Sequence, residues 1–190
     1  KDIEATTLPM KPVSEAMKLR NTILRNLELA LTEEDPVRKQ ALMNIVVVGG
    51  GASGVEIAGA VAEMKKNIIA RDYPALDSSQ MHIYLVNAVD RLLSAMDPVS
   101  SKRVERYLKE LHVHIRQPQF ATEYKDGILR TSAGLEIPTQ TVIWVSGICA
   151  NTIEGFPAES IGHAGRFLTD RFCRVKGVED VYAIGDVTLV

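Results

Sequence analysis

Apolar residues first recur at helical spacing between residues 14 and 31. Ala16, Leu19, Ile23, Leu27 and Ala30 form one stripe, which Leu24 and Leu31 widen. Ser14 stands where an N-cap belongs, and Pro9 and Pro12 keep residues 1–13 extended. Such a stripe must lie against something, either its own domain or a neighbouring one. Residues 32–39 are polar, hold Pro36 and read as a loop. Then Asn44-Ile45-Val46-Val47-Val48 is continuously apolar and β-branched, the signature of a strand buried on both faces of a parallel sheet. A helix is predicted over 54–69, followed by a polar excursion through Arg71-Asp72-Tyr73-Pro74. His82-Ile83-Tyr84-Leu85-Val86 reads as a second strand. A helix over 99–111 carries Val104, Leu108 and Leu111 on one side, and His112-Val113-His114-Ile115 follows as a third strand. The order βαβαβ predicts parallel pairing with right-handed crossovers.

Beyond residue 119 the period shortens. The runs 120–124, 128–131 and Thr141-Val142-Ile143-Trp144-Val145 are separated by turn signals at Asp126-Gly127 and Ala133-Gly134. These predict an antiparallel meander inserted into the sheet. Val181-Tyr182-Ala183-Ile184 is the last expected strand and ends at Gly185-Asp186. The fold class is therefore α/β: a Rossmann-like parallel βαβαβ sheet with an inserted antiparallel β-meander and an extra N-terminal helix. The expected divisions are a lead-in and connecting helix over 1–40, a nucleotide-binding domain over 41–150 and a return segment over 151–190. There is no internal repeat and no low-complexity tract.

Composition narrows the class. The 190 residues are 46% hydrophobic and 24% charged, close to the globular average, which excludes disordered and fibrous chains. Aromatics are only 5%, so aliphatic residues and Met17, Met43, Met64 and Met96 must fill the core. A net charge of −2 gives no reason to expect a nucleic-acid surface. Cys149 and Cys173 are far apart and form no CxxC pair, which fits a reducing compartment. No apolar run approaches the roughly 18–20 residues of a membrane span, and the start carries no signal-peptide pattern. A soluble, cytoplasmic chain is expected. Because it opens on Lys1 and stops just after a predicted strand and turn, it is expected to be part of a longer protein.

The sharpest chemical feature is Gly49-Gly50-Gly51-Ala52-Ser53-Gly54, a GxGxxG between a predicted strand and a predicted helix. Gly49 permits the tight turn, Gly51 lets backbone approach a pyrophosphate, and Gly54 lets helix pack closely on strand. The helix N-terminus adds unpaired N–H groups and about half a positive charge. A dinucleotide site is the expected reading, against an ordinary glycine-rich turn. An acidic residue should end the second strand and hold the adenosine ribose; Asn87 stands there instead, farther along than the usual interval of about 20 residues. Amide for carboxylate costs on the order of 1 kcal/mol. It also removes the charge that repels a 2′-phosphate, so the choice between NADH and NADPH is open at this point. Arg91 either reaches such a phosphate or is a solvated surface charge. Glu56, just past Gly54, is either a helix-start carboxylate or a functional one. His112 and His114 alternate along one strand face but lack a third ligand, and His82 and His163 show no partner, so no metal site is expected. Ser-hydrolase elbows, P-loops and HExxH motifs do not occur.

The segment Val46-Val47-Val48-Gly49-Gly50-Gly51-Ala52-Ser53-Gly54-Val55-Glu56-Ile57-Ala58-Gly59 resembles the NAD-binding part of type II NADH dehydrogenases. These are FAD-containing NADH:quinone oxidoreductases of the pyridine nucleotide-disulfide oxidoreductase superfamily. Lys18-Leu19-Arg20-Asn21, Arg71-Asp72-Tyr73-Pro74, Arg91-Leu92-Leu93-Ser94-Ala95-Met96-Asp97-Pro98, residues 141–147 and Val181-Tyr182-Ala183-Ile184-Gly185-Asp186 match in order. The resemblance implies that the turn Gly49-Gly50-Gly51-Ala52-Ser53-Gly54 holds the NADH pyrophosphate and that Glu56 lies near nicotinamide and flavin. It further implies that Ser146 and Gly147 close over the nicotinamide side and that Gly185 and Asp186 hold FAD. Asn87 departs from the usual Glu. Only one GxGxxG is present, so an FAD-binding half is expected elsewhere in the same polypeptide, as are the quinone site and the membrane-facing helices. The implied protein lies peripherally on the cytoplasmic face of the inner membrane. This chain by itself is expected to bind NAD(H) weakly, to bind no FAD and to be inactive. A homodimer through the helix at 14–31 is a further expectation. Two alternatives stay open: a reductase of a disulfide or small redox protein, and a non-catalytic NAD(H)-sensing module.

Overall fold

The computed structural model describes residues 7–9, 12–147, 150–151 and 153–189; Cys149 and most of the lead-in over 1–13 lie outside them. The chain divides into two compact units, Lys1–Ser146 and Gly147–Val190.

The first unit is built on a five-stranded, all-parallel sheet in the order β1-β8-β2-β3-β4. Its strands are β1 (Leu8–Pro9), β2 (Ile45–Val48), β3 (Ile83–Val86), β4 (Val113–Arg116) and β8 (Thr141–Trp144). All four residues of β2 are buried, as its unbroken apolar run requires. Ile45 and Val47 enter the larger core, with Ile83, Leu85 and Ile143. Val46 and Val48 enter a second core, with Leu129, Ile137 and Val142.

Helix α1 (Val13–Thr32) lays Leu19, Ile23, Leu27 and Ala30 into the larger core, so its stripe covers its own unit. Asn26 Nδ2 donates to Thr141 Oγ1 at 2.9 Å, a buried bond tying α1 to β8. The N-cap lies two residues earlier than expected, at Pro12, with no side-chain cap, so Ser14 does not cap the helix. The expected loop at 32–39 is also corrected, because Pro36 begins helix α2 (Pro36–Met43) instead of breaking one. Asp35 caps α2 by accepting from the Val37 and Arg38 N–H groups, and proline at the first helical position loses no bond.

Helix α3 (Ala52–Met64) continues as a π turn over Lys65–Ile69. Helix α4 (Pro98–Glu110) repeats the Asp-Pro start, with Asp97 accepting from the Val99 and Ser100 N–H groups. The meander is β5 (Ala121–Lys125), β6 (Ile128–Thr131) and β7 (Glu136–Pro138), antiparallel throughout. Asp126 and Gly127, at φ of 53° and 74°, make the tight turn between β5 and β6. The run at 141–145 is not its third strand. That place is taken by the three-residue β7, in which only Ile137 is buried, and residues 141–144 return to the parallel sheet between β1 and β2.

In the second unit, Phe167, Val175 and Ala183 form a small core. Strands β9 (Phe167–Leu168) and β10 (Thr188–Leu189) pair in parallel. The expected strand at 181–184 contributes a single bridge, Tyr182 to Arg174; Val181 and Ala183 pack on the small core while Tyr182 and Ile184 stay exposed. Among the described residues no helix is long and apolar enough to cross a membrane.

Candidate functional site

The carboxyl ends of β2, β3 and β8 lie side by side, and the glycine turn leaves the middle of this edge. Its glycines answer to three different constraints. Gly49 has φ of +121°, and a Cβ there would sit 2.9–3.0 Å from backbone atoms of Val145 and Ser146. A Cβ on Gly54 would fall 1.8 Å from the Gly49 carbonyl oxygen. These two positions are glycine because the chain passes too close to itself.

Gly51 is different. Its φ of −74° suits any L residue, and a Cβ would meet no described residue within 4 Å. Neither backbone strain nor a neighbour demands glycine there; the space in front of it is open. Gly51 is also the N-cap of α3 and supplies no side-chain hydrogen bond, whereas α2 and α4 are both capped by aspartate. The first-turn N–H groups of α3 therefore face outward with the positive end of the helix dipole behind them. Ala52 and Ser53 are exposed beside them. This is the geometry that a pyrophosphate requires, and the residues present fit one.

Asn87 is buried, at 6% exposure. Its Oδ1 accepts from the Gly50 N–H at 3.1 Å. Its Nδ2 faces the Val89 and Arg91 carbonyl oxygens at 2.9 and 3.2 Å and Gln117 Oε1 at 3.4 Å. The middle glycine is explained by this contact, since a Cβ on Gly50 would lie 2.4 Å from Asn87 Cγ. Arg91 is half-buried; its Nη2 donates to the Ser94 carbonyl at 2.6 Å, while Nη1 is buried without a partner.

Ser146 is brought against Gly49, and its carbonyl accepts from the Trp144 indole at 3.0 Å. Glu56 lies on the exposed side of α3, one turn past the open N-terminus. In the second unit Gly147 is exposed at φ of +81° and Gly185 at +79°, and a Cβ on either would meet nothing. Asp186 is exposed beside Gly185.

The histidines sit elsewhere than expected. His112 ends α4 with φ of 59°, in the left-handed position that follows a helix, and is not on the strand face with His114. His82 does have a partner: its Nδ1 lies 3.3 Å from His114 Nε2. Tyr84 stacks on His114 at 5.1 Å, with the Arg116 guanidinium 5.9 Å over the tyrosine ring. Burial lowers the pKa of both imidazoles, and the nearby cations Lys65 and Arg116 add to the effect on His114. Sequence reasoning missed this pair because it arises from strand register, Tyr84 opposite His114. Among the described residues no group of three or more His, Cys, Asp or Glu could hold a metal.

Comparison with known proteins places these features in a family. The pyridine nucleotide-disulphide oxidoreductase profile matches residues 7–190. The type II NADH:quinone oxidoreductase NdhA of Mycobacterium tuberculosis is 29% identical over 98% of this chain and 42% of its own length. The Haemophilus influenzae type II NADH:quinone oxidoreductase is 30% identical over 76% of this chain and 33% of its own length. The structure of NDH2 from Plasmodium falciparum in complex with NADH superposes with a TM-score of 0.83 at 19% identity. It is matched over 99% of this chain and 40% of that one, a likeness of fold. The chain thus spans less than half the length of these relatives. It belongs to the pyridine nucleotide-disulphide oxidoreductase family.

Proposed function

We propose that this chain is the NAD(H)-binding part of a flavin-dependent NADH:quinone oxidoreductase. The open Gly51 carries the reading. It is a glycine that neither the backbone nor any neighbouring atom requires, at the uncapped start of a helix, in a chain whose relatives are named for NADH oxidation.

The outward N–H groups at the start of α3 would bind the dinucleotide pyrophosphate, with Gly51 admitting it to backbone contact and Ser53 adding a hydroxyl. Gly49, locked against Ser146, sets the direction in which α3 leaves the sheet. Glu56, one turn on, would lie near the nicotinamide and orient its amide. Ser146, held against Gly49, would stand beside the nicotinamide. Gly185 and Asp186 would serve FAD, Asp186 accepting from flavin-side hydroxyls. Bound flavin would supply hydride acceptance and electron transfer to quinone, the redox chemistry that protein side chains lack. The chain's own part is orientation, which brings the donor carbon within reacting distance. FAD binding, turnover and attachment to the cytoplasmic face of the membrane belong to the whole polypeptide, and residues 1–40 and 151–190 link this unit to the flavin part.

The test is a titration of the full chain with NADH, followed by backbone amide resonances, beside an absorbance scan for flavin and an assay of NADH oxidation by quinone. The expected result is saturable movement at residues 50–54, no flavin and no turnover. Bound flavin, or shifts that avoid the glycine turn, would overturn the reading.

A further inference from the structure

Three loops leave the carboxyl edge of the sheet beside one another: residues 49–51 after β2, 87–93 after β3 and 117–119 after β4. Asn87 touches all three. Its side chain holds the Gly50 N–H, the Val89 and Arg91 carbonyls and Gln117 Oε1. Its backbone N–H donates to Arg116 and its carbonyl accepts from Gln119, at 2.9 and 2.8 Å. The Gly50 peptide is gripped from its other side as well, since its carbonyl accepts from the Leu93 N–H at 2.8 Å.

This bonding pattern can be satisfied by an amide and not by a carboxylate. The two N–H bonds of Nδ2 face three oxygens, so both protons are engaged. A carboxylate oxygen in the same place would meet those oxygens as a like charge. The loop conformation is therefore built around asparagine; a ribose hydroxyl would have to donate to Oδ1, which already accepts from the Gly50 N–H in a side chain buried to 6% exposure.

We infer that Asn87 is a positioning residue, one that fixes the Gly50 peptide and through it the phosphate-binding turn, and that it does not read the adenosine ribose. Discrimination between a 2′-hydroxyl and a 2′-phosphate then does not pass through residue 87. The inference rests on the dinucleotide-binding reading for its consequence, but the clamp itself is independent of any ligand.

The experiment uses the full chain and the variants N87A and N87D. Amide exchange at Gly50 is measured without ligand, and affinities are measured for NADH and for its adenosine 2′-deoxy analogue. In N87A, Gly50 exchange should rise about tenfold or more while Val46, Val47 and Val48 stay protected. NADH should bind about tenfold more weakly. The ratio of NADH to 2′-deoxy affinity should match that of the wild type. N87D keeps the acceptor for Gly50, so Gly50 should stay protected and the ratio of NADH to 2′-deoxy affinity should stay at the wild-type value; this arm holds even where N87A does not fold. Unchanged Gly50 exchange in N87A would overturn the inference. So would a wild-type preference for NADH over the deoxy analogue that N87A abolishes, or a ratio in N87D that departs from the wild-type value. If the wild type binds neither ligand, the functional proposal fails, and Gly50 exchange still decides the clamp.

Discussion

The same substitution at two glycines three residues apart should have opposite consequences. In Gly54→Ala the new methyl would lie 1.8 Å from the Gly49 carbonyl oxygen. Carbon and oxygen rest about 3.3 Å apart at their closest comfortable approach. Backbone must therefore move by more than an ångström between two buried elements, a cost of about 3 kcal/mol or more. The better helix propensity of alanine offsets about 1 kcal/mol of it. The net loss of about 2 kcal/mol corresponds to a fall in Tm of roughly 4–8 °C for a chain of this size. In Gly51→Ala the methyl meets nothing and φ is already −74°, so only a weaker N-cap is lost, about 0.5–1 kcal/mol. The methyl would, however, stand where the pyrophosphate approaches, and NADH affinity should fall at least about tenfold, or 1.4 kcal/mol. Differential scanning calorimetry and NADH titration of both variants separate the two effects. Full NADH affinity in Gly51→Ala, or an unchanged Tm in Gly54→Ala, would refute the division of labour among these glycines.

Three further outcomes follow from the packing. Asn26→Ala removes the buried donor that reaches Thr141 Oγ1, and urea denaturation should show a loss of about 1–3 kcal/mol; pairing it with Thr141→Val should recover part of that loss. Asp97→Ala uncaps α4, whose Val99 and Ser100 N–H groups it holds, and should cost about 1 kcal/mol in the same assay. His82 and His114 have lowered pKa values in the fold, mainly from burial, so the unfolded chain binds more protons at mildly acidic pH. Their contribution to stability is complete above the ordinary histidine pKa of about 6.5 and is lost as pH falls through the lowered folded values. Denaturation midpoints between about pH 7 and 5 should fall, and His114→Gln should flatten that slope. The groups acting on the pair are Lys65, Arg116 and His112, with Tyr84 stacked on His114; the carboxylates held low in the fold, Asp72, Asp77 and Asp97, titrate below this window.

Local signals were enough where one side of the chain decides the outcome. The unbroken run at 45–48, the Asp126-Gly127 turn and the glycine spacing at 49–54 all act within a few residues, and each was legible before any coordinates. Pro36 reads equally as a helix breaker and as a helix starter until Asp35 is recognised as the cap. The third meander strand was misplaced because β7 buries only Ile137, whereas the strongly apolar 141–144 looked like the better strand and is claimed by the parallel sheet. Asn87 could be located as the end of β3, but its bonds reach Gly50, 37 positions earlier, and Gln117, 30 positions later. The His82–His114 contact depends likewise on register between strands. Contacts of that range are set by topology and leave no local periodicity to read.

The central claim is that the open glycine turn binds a nicotinamide dinucleotide. Isothermal titration calorimetry of the full chain with NADH, and separately with NADPH, tests it most directly. Saturable one-to-one binding of NADH at about millimolar strength or tighter is expected, weakened at least about tenfold by Gly51→Ala. NADPH binding of similar strength is also expected, since no carboxylate at position 87 repels the 2′-phosphate. A folded chain that takes up neither dinucleotide at that concentration, or that binds NADH equally well with alanine at position 51, would contradict it.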